Sequence, residues 1–382
     1  MYSLYGYGEM IADRVRMNAY AEALRQTVKP GSVVLEIGTG PGIFAILACQ
    51  LGAGRVIAIE SDEIIQVARE NAAINHCADR IEFIEDLSTN VTLPVKADVI
   101  VSDMRGIVPL FGRHLPSIVD ARHRFLASGG VLIPRADTLW AAVVETPQRY
   151  AELVEPWENN MLDQNLAAAR RIAVHNFQKA RARPEELLTT PRLWKTLDYA
   201  TLETPDVGGE ISWTINRAGL GHGILVWFDA DLADGVSFSN SPASPETIYG
   251  SLFLPWIHPV QLTQGETVRV QLEAKLVGDD YVWRWATQIH GVDPSSGIRD
   301  QFEQSTMAGS ALSPKRLQKI ASDFVPQLSE EGLLDRKILG MMDGHTTLEE
   351  IARRLSAEYP ERFPNWHAAM KIAGALSQKY SR

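Results

Sequence analysis

Val33-Val-Leu-Glu-Ile-Gly-Thr-Gly-Pro-Gly-Ile-Phe44, answered by Val56-Ile-Ala-Ile-Glu60, decides how this chain folds. A β-branched apolar run carries Glu36, turns through Gly38, Gly40 and Gly42, and enters an apolar-periodic segment near Ile43. The order is strand, glycine turn, helix. Glycines at alternate positions let the backbone turn sharply and let a ligand lie against it with no Cβ between. They stand at the carboxyl end of a parallel strand, where open α/β sheets bind ligands. Glu60 closes the second strand, placed to accept hydrogen bonds from both hydroxyls of a ribose.

The spacing argues which nucleoside is held. Dinucleotide folds place a third glycine three residues after the second, so that a helix N-terminus can approach a pyrophosphate. Ile43 stands there instead. A Gly-x-Gly-x-Gly turn with an acid, Glu36, two residues before it suits an uncharged or zwitterionic sulfonium nucleoside better than a diphosphate. S-adenosylmethionine is therefore the expected cofactor, and a nicotinamide-dependent dehydrogenase is disfavoured.

With 382 residues the chain is too long for one ordinary core, so two or three domains are expected. Its 45% apolar and 22% charged residues are those of a globular protein. A formal charge of -10 argues against nucleic acid as the main partner, because phosphate binding needs a cationic face. Neither the first ten residues nor any later run reads as a signal or a membrane span, which gives a cytoplasmic expectation. Cys49 and Cys77 are the only cysteines, too few for a disulfide framework or a zinc site, and no metal is expected.

Ahead of the glycine turn, Tyr2-Ser-Leu-Tyr5-Gly-Tyr7-Gly-Glu9-Met10-Ile-Ala-Asp13-Arg14-Val15-Arg16 runs into a helix that continues through Arg25 and stops at Pro30-Gly31. Tyr-x-x-Tyr, then Glu-Met-x-x-Asp-x-x-Arg, then the glycine turn, resembles the amino-terminal order of the protein arginine methyltransferases. The resemblance implies that Met10 lies near the sulfonium, that Arg16 pairs with the methionyl carboxylate, and that Tyr2 and Tyr5 help to close the pocket. A guanidinium is a good bidentate partner for a carboxylate, and an aromatic lid keeps water from an alkylating agent. Beyond Glu60 a helix reaches about Asn75, and a strand at Ile81-Glu-Phe-Ile84 ends in Glu85-Asp86-Leu87. One of Glu85, Asp86 or the backbone at Leu87 is expected to meet the adenine edge, Asp86 being the side chain chosen.

The next strand, Ala97-Asp98-Val-Ile-Val101, delivers Ser102-Asp103-Met-Arg-Gly-Ile-Val-Pro-Leu-Phe-Gly112-Arg113-His114 to the same sheet edge, where the methyl acceptor belongs. Here the resemblance fails in an informative way. The family carries Ser-Glu-x-x-Gly and a second glutamate six residues after that glycine. This chain keeps Ser102 and Gly106, shortens the first glutamate to Asp103, and has Gly112 at the second position. One of two carboxylates expected to grip a guanidinium is gone, while Arg105, Arg113 and His114 stand nearby. The expectation is an acceptor that can be neutral or anionic, with arginine a poor substrate. Asp103 is the best candidate for orienting or deprotonating the acceptor; Tyr2, Tyr5, His114 and Tyr249 follow. Glu246 is the nearest acid by sequence that could compensate from the barrel.

The resemblance runs from about Tyr2 to Ala286 and implies an α/β-plus-β architecture. A Rossmann-like S-adenosylmethionine-binding domain (1–134) is followed by a β-barrel substrate domain (135–305). About 149–183 reads as a helical insertion of the kind the family uses as a dimerisation arm, so a homodimer is expected. The family's Thr-His-Trp has become Thr247-Ile248-Tyr249. Residues 313–382 carry 11 Lys+Arg and 9 Asp+Glu, so the acidity lies elsewhere. They read as a small helical, winged-helix-like domain, with a capping-box start at Thr347-Leu-Glu-Glu350. Its Asp343-Gly-x-x-Thr-Leu-x-Glu-Ile-Ala352 pattern resembles the leader-peptide-binding domain of pyrroloquinoline quinone biosynthesis. The whole reads as a methyltransferase acting on a peptide or protein side chain, in ribosomal peptide maturation if the last domain binds a leader. The alternatives are a small-molecule O- or N-methyltransferase and a catalytically impaired peptide-binding scaffold.

Overall fold

The computed structural model describes residues 3–293 and 297–381. Two helices, α1 (Leu4–Ala12) and α2 (Arg14–Thr27), precede the glycine turn. They are separate elements where the sequence pattern reads as one continuous helix. Asp13 breaks the run: its extended backbone ends α1, and its carboxylate accepts from the Arg16 amide at 3.0 Å to start α2.

Then come β1 (Val33–Ile37), α3 (Ile43–Gln50), β2 (Arg55–Glu60), α4 (Ile65–Ile74), β3 (Ile81–Glu85), β4 (Ala97–Ser102), α5 (His114–Phe125) and β5 (Leu126–Ile133). The five strands form one parallel sheet in the order β3-β2-β1-β4-β5. Val33 through Ile37 and Val56 through Ile59 are almost wholly buried apolar positions broken only by Glu36, as a strand covered on both faces requires. Ile37 is in register with Ile59 and with Ser102, so the loops after β1, β2 and β4 leave the sheet from one edge. The order reverses at β1, a switch point at which such sheets bind ligands.

A second region begins with β6 (Ala136–Val144), α6 (Pro147–Glu158), α7 (Ala167–Ala173), β7 (Gln178–Ala180), β8 (Arg192–Asp198), β9 (Val207–Thr214), β10 (Gly219–Ala233) and β11 (Val236–Ser239). It ends with β12 (Ser251–Leu262), β13 (Thr267–Val277), β14 (Asp280–His290) and β15 (Ile298–Ser305). One antiparallel sheet runs β7-β12-β10-β6-β8 with β11 on β10, and the other runs β15-β14-β13-β9, making a barrel-like body. Trp213, Trp256, Trp283 and Trp285 fill its interior. The helical insertion is α6 and α7.

Residues up to Ala311 form one compact unit and Leu312–Arg382 another. The second holds α8 (Pro314–Lys319), α9 (Glu330–Gly340), α10 (Leu348–Glu358) and α11 (Trp366–Tyr380), with Ile338, Ile351, Leu355, Phe363 and Ala369 in its core. The capping box forms as Thr347 and Glu350 satisfy each other's amides. Among its described residues there is no strand, so the helical reading holds while the wing of a winged helix is absent.

Candidate active site

The loop after β1 is held by its neighbour strand. The Gly38 amide donates to the Ile59 carbonyl at 2.9 Å, and the Gly40 amide donates to Glu60 Oε2 at 2.9 Å. Glu60 Oε1 also accepts from the Asp62 amide at 3.2 Å. A carboxylate has about four lone-pair sites, so Glu60 keeps capacity for a ligand while fixing the turn. Gly40 adopts φ 52°, and a Cβ there would come 2.8 Å from the Tyr7 ring, so glycine is required twice over. Glu36 is buried and accepts from Thr39 Oγ1 at 2.6 Å. Burial lifts its carboxyl to about 8 against the pull of that hydrogen bond, so it is mainly protonated at neutral pH.

Beside the turn lies a buried chain of alternating charges. Asp103, at the end of β4, accepts from Arg16 Nε, from Arg105 Nη1 at 2.9 Å and from the Tyr249 hydroxyl at 2.6–2.7 Å. Arg105 continues as a bidentate pair with Asp137 at 2.8 and 2.9 Å. The Tyr199 hydroxyl donates to Asp137, and His114 Nε2 meets that hydroxyl at 3.2 Å. Burial opposes ionisation of Asp103, but Arg16 and then Arg105 outweigh it and hold the carboxyl at about 2. Such an acid orients a partner and is a poor proton acceptor, so of the two roles expected for Asp103 only orientation fits. Tyr249 is raised by burial and by Asp103, and stays a donor.

These elements enclose a cavity of about 750 Å³. Met10, Arg16, Glu36, Gly38, Gly40, Glu60 and Asp103 line it, as does Tyr249. Several expected residues do not. Tyr5 is 77% exposed and is not in the wall, where Tyr7 stands instead. Gly42 caps α3 with φ 89° and packs on Ala68. Asp86 is spent on its own loop, accepting from the Leu87 amide and from Asn90 Nδ2. Ser102 is buried with its carbonyl on the Tyr20 hydroxyl. His114 is buried outside the cavity, held near pKa 3 by burial and by Arg105, and therefore neutral. Tyr2 lies outside the described residues.

The electrostatic expectation also changes. Arg105 is neutralised by two aspartates, Arg113 is exposed and pairs with Asp279 at 3.2 Å, and His114 is uncharged. Glu246 pairs with Arg181 and is not in the wall. Among the described residues the wall carries five acidic side chains besides the protonated Glu36, and three basic ones, so it does not repel a cation. Sequence reasoning missed the lining residues Phe111, on the loop after β4, and Phe177, Lys179, Asp280 and Trp283, which the barrel region supplies. Asp280 follows Gly278-Asp279 and reads in sequence as an ordinary solvated turn.

Comparisons with known proteins agree with this layout. The family model described as ribosomal protein L11 methyltransferase matches residues 19–154, and that of the arginine methyltransferase oligomerization subdomain matches 135–286. The chain is 30% identical over 246 residues to a probable protein arginine N-methyltransferase 6 of Arabidopsis thaliana, covering 62% of this chain and 55% of that protein. It is 28% identical to protein arginine N-methyltransferase 1 of Dictyostelium discoideum, over 70% of this chain and 81% of that one. The solved Trypanosoma brucei PRMT1 enzyme-prozyme heterotetrameric complex with AdoHcy superposes with TM-score 0.71 at 20% identity, covering 78% of this chain and 96% of that one. Arabidopsis thaliana protein arginine methyltransferase 10 gives 0.69 at 22%, with 79% and 97% covered.

Proposed function

We propose that this chain, similar to the protein arginine methyltransferases, is an S-adenosylmethionine-dependent methyltransferase that methylates a peptide or protein side chain in the cavity below the glycine turn. The observation that carries this reading is the convergence of Gly38, Gly40, Glu60 and Arg16 on one cavity at the shared strand edge. The residues fit the cofactor. A Cβ at Gly38 or Gly40 would fall within 2.9 Å of Met104 or Tyr7, so these cavity-lining side chains can pack on the turn only because both positions are glycine. When bound, the cofactor supplies an electrophilic methyl group on sulfonium sulfur. Glu60 would hold the ribose hydroxyls and Met10 would stand near the sulfur. Among the described residues Arg16 Nη2 donates to no protein atom, which leaves it for a carboxylate while Nε stays on Asp103. Asp103 and Tyr249 hold the acceptor side of the site in place, and α1 and the barrel exclude water, so alignment carries most of the catalysis.

Replacing Glu60 by Ala is expected to weaken binding of S-adenosylhomocysteine by about 1.5–3 kcal/mol, the scale of hydrogen bonds to a charged group. Unchanged affinity in calorimetry would overturn the ribose assignment. Mass spectrometry of peptides incubated with labelled cofactor tests the transfer itself.

The saturation of Asp103 favours one rival, a cofactor-binding scaffold without turnover; binding with no methyl added to any peptide would select it. The narrower role in ribosomal peptide maturation rests on the 343–352 pattern alone. Homodimerisation through α6 and α7 is supported by Trp157, Met161 and Leu162, large apolar side chains exposed on that insertion. No helix among the described residues is long and apolar enough to cross a membrane.

A further inference from the structure

The buried run of charges beside the glycine turn has an order. Asp137, the second residue of β6, is wholly buried and takes Arg105 bidentately. Arg105 Nη1 donates to Asp103 Oδ1 at 2.9 Å, and the other oxygen, Oδ2, accepts from Arg16 Nε. Anion and cation thus alternate through four side chains, and the cationic end, Arg16, lines the cavity.

The Arg105 guanidinium is committed to protein partners. Its side chain has no exposed surface, Nε and Nη2 are held by Asp137, and Nη1 reaches Asp103 and the Tyr20 hydroxyl. The ring centroids of Phe228 and Phe238 lie 5.4 and 5.9 Å from its guanidinium carbon. Burial opposes the charge, but Asp137, Tyr20 and Asp103 hold its pKa well above the usual guanidinium value. Arg105 is therefore a fixed cation that acts on the cavity through Asp103.

Charge sharing decides what this does to Arg16. Were Arg16 the one cation on Asp103, the pair would be neutral, and a ligand carboxylate would compete with Asp103 for the same guanidinium. With Arg105 on the second oxygen, Arg16, Asp103 and Arg105 together carry one net positive charge, and the compensating Asp137 lies one link farther from the cavity. Coulomb energy falls with distance, so the end that faces a ligand stays positive. Arg16 Nη2 donates to no protein atom among the described residues and presents that charge.

We infer that Arg105 is a positioning residue for the cofactor: acting through Asp103, it keeps Arg16 available to the cofactor's amino-acid carboxylate, and Asp137 holds it there. This rests on the methyltransferase reading. A residue of the barrel thereby sets how strongly the glycine-turn half holds its cofactor.

The test is calorimetry on the full chain with S-adenosylhomocysteine and with 5′-methylthioadenosine, which keeps the adenosine and the sulfur but lacks the carboxylate. The parent is expected to bind S-adenosylhomocysteine at least about tenfold more tightly. Arg105→Gln combined with Asp137→Asn replaces the ion pair by an amide pair, so that neither partner is left as a lone buried charge. This double variant should bind S-adenosylhomocysteine about fivefold more weakly and 5′-methylthioadenosine within about twofold of the parent. Arg105→Lys keeps the cation and should hold both affinities within about twofold. Asp137→Asn alone removes an anion, so it should bind S-adenosylhomocysteine as tightly as the parent or more tightly, the opposite of what losing a structural tie would give. Should Asp137→Asn fail to fold, the double variant alone decides. Equal weakening of both nucleosides in the double variant would make the pair merely structural and overturn the inference, as would a parent without preference or a double variant that keeps it. A parent that binds neither nucleoside would strike the methyltransferase reading itself, and the inference with it.

Discussion

Glu36 sits in the middle of β1 with 3% of its surface exposed, between strands that are otherwise apolar. Burial raises its folded-state pKa to about 8, well above the value of an unfolded glutamate. The sign follows from proton counting. Between about pH 4.5 and 8 the folded chain holds a proton that the unfolded chain has released, so stability falls as pH rises through that window. Glu36→Gln keeps a neutral side chain at the same place and removes the titration. It should gain on the parent above pH 8, by an amount on the order of a few kcal/mol, and lose the advantage below about pH 4.5. Urea unfolding of both proteins from pH 4 to 9 checks this; parallel pH profiles would show that Glu36 is ionised in the folded state.

Among the elements, α1 buries no residue, yet it brings Gly6, Tyr7 and Met10 to the cavity. Its anchor is the joint at Asp13, where Oδ1 caps α2 and Oδ2 accepts from the Ile248 amide of the barrel at 2.8 Å. Asp13→Ala removes both bonds at a cost of about 1–3 kcal/mol. Amide hydrogen exchange in residues 4–12 should quicken, while β1 and β4 keep their protection. Unchanged exchange would mean that α1 is held by something other than this joint. The joint explains part of what sequence could and could not reveal. The glycine turn was legible because its strand, loop and helix are contiguous and their periods change at once. Asp13 was not, since a helical pattern runs straight across it. Tyr5 and Tyr7 are two positions apart on a helix, about 200° around its axis, so only one can face the cavity, and spacing alone could not say which. Asp137 and Tyr249 meet Arg105 and Asp103 across 32 and 146 residues, distances at which no local pattern exists.

At the scale of the whole molecule, the proposed homodimer places a test on the insertion. Replacing Met161 and Leu162 together by Asp should put charges where apolar surface would be covered, and sedimentation at micromolar concentration should then show a monomer. A parent that sediments as a monomer would remove the arm from the account. A last consequence concerns heat. The described residues that line the cavity belong to the unit that ends at Ala311. A ligand that binds only the folded form stabilises what it touches by RT ln(1 + [L]/Kd), about 2.7 kcal/mol at a hundredfold excess over Kd. Scanning calorimetry with S-adenosylhomocysteine should therefore move the larger endotherm upward by several degrees and leave a small second one where it was; if both move together, the two units melt as one.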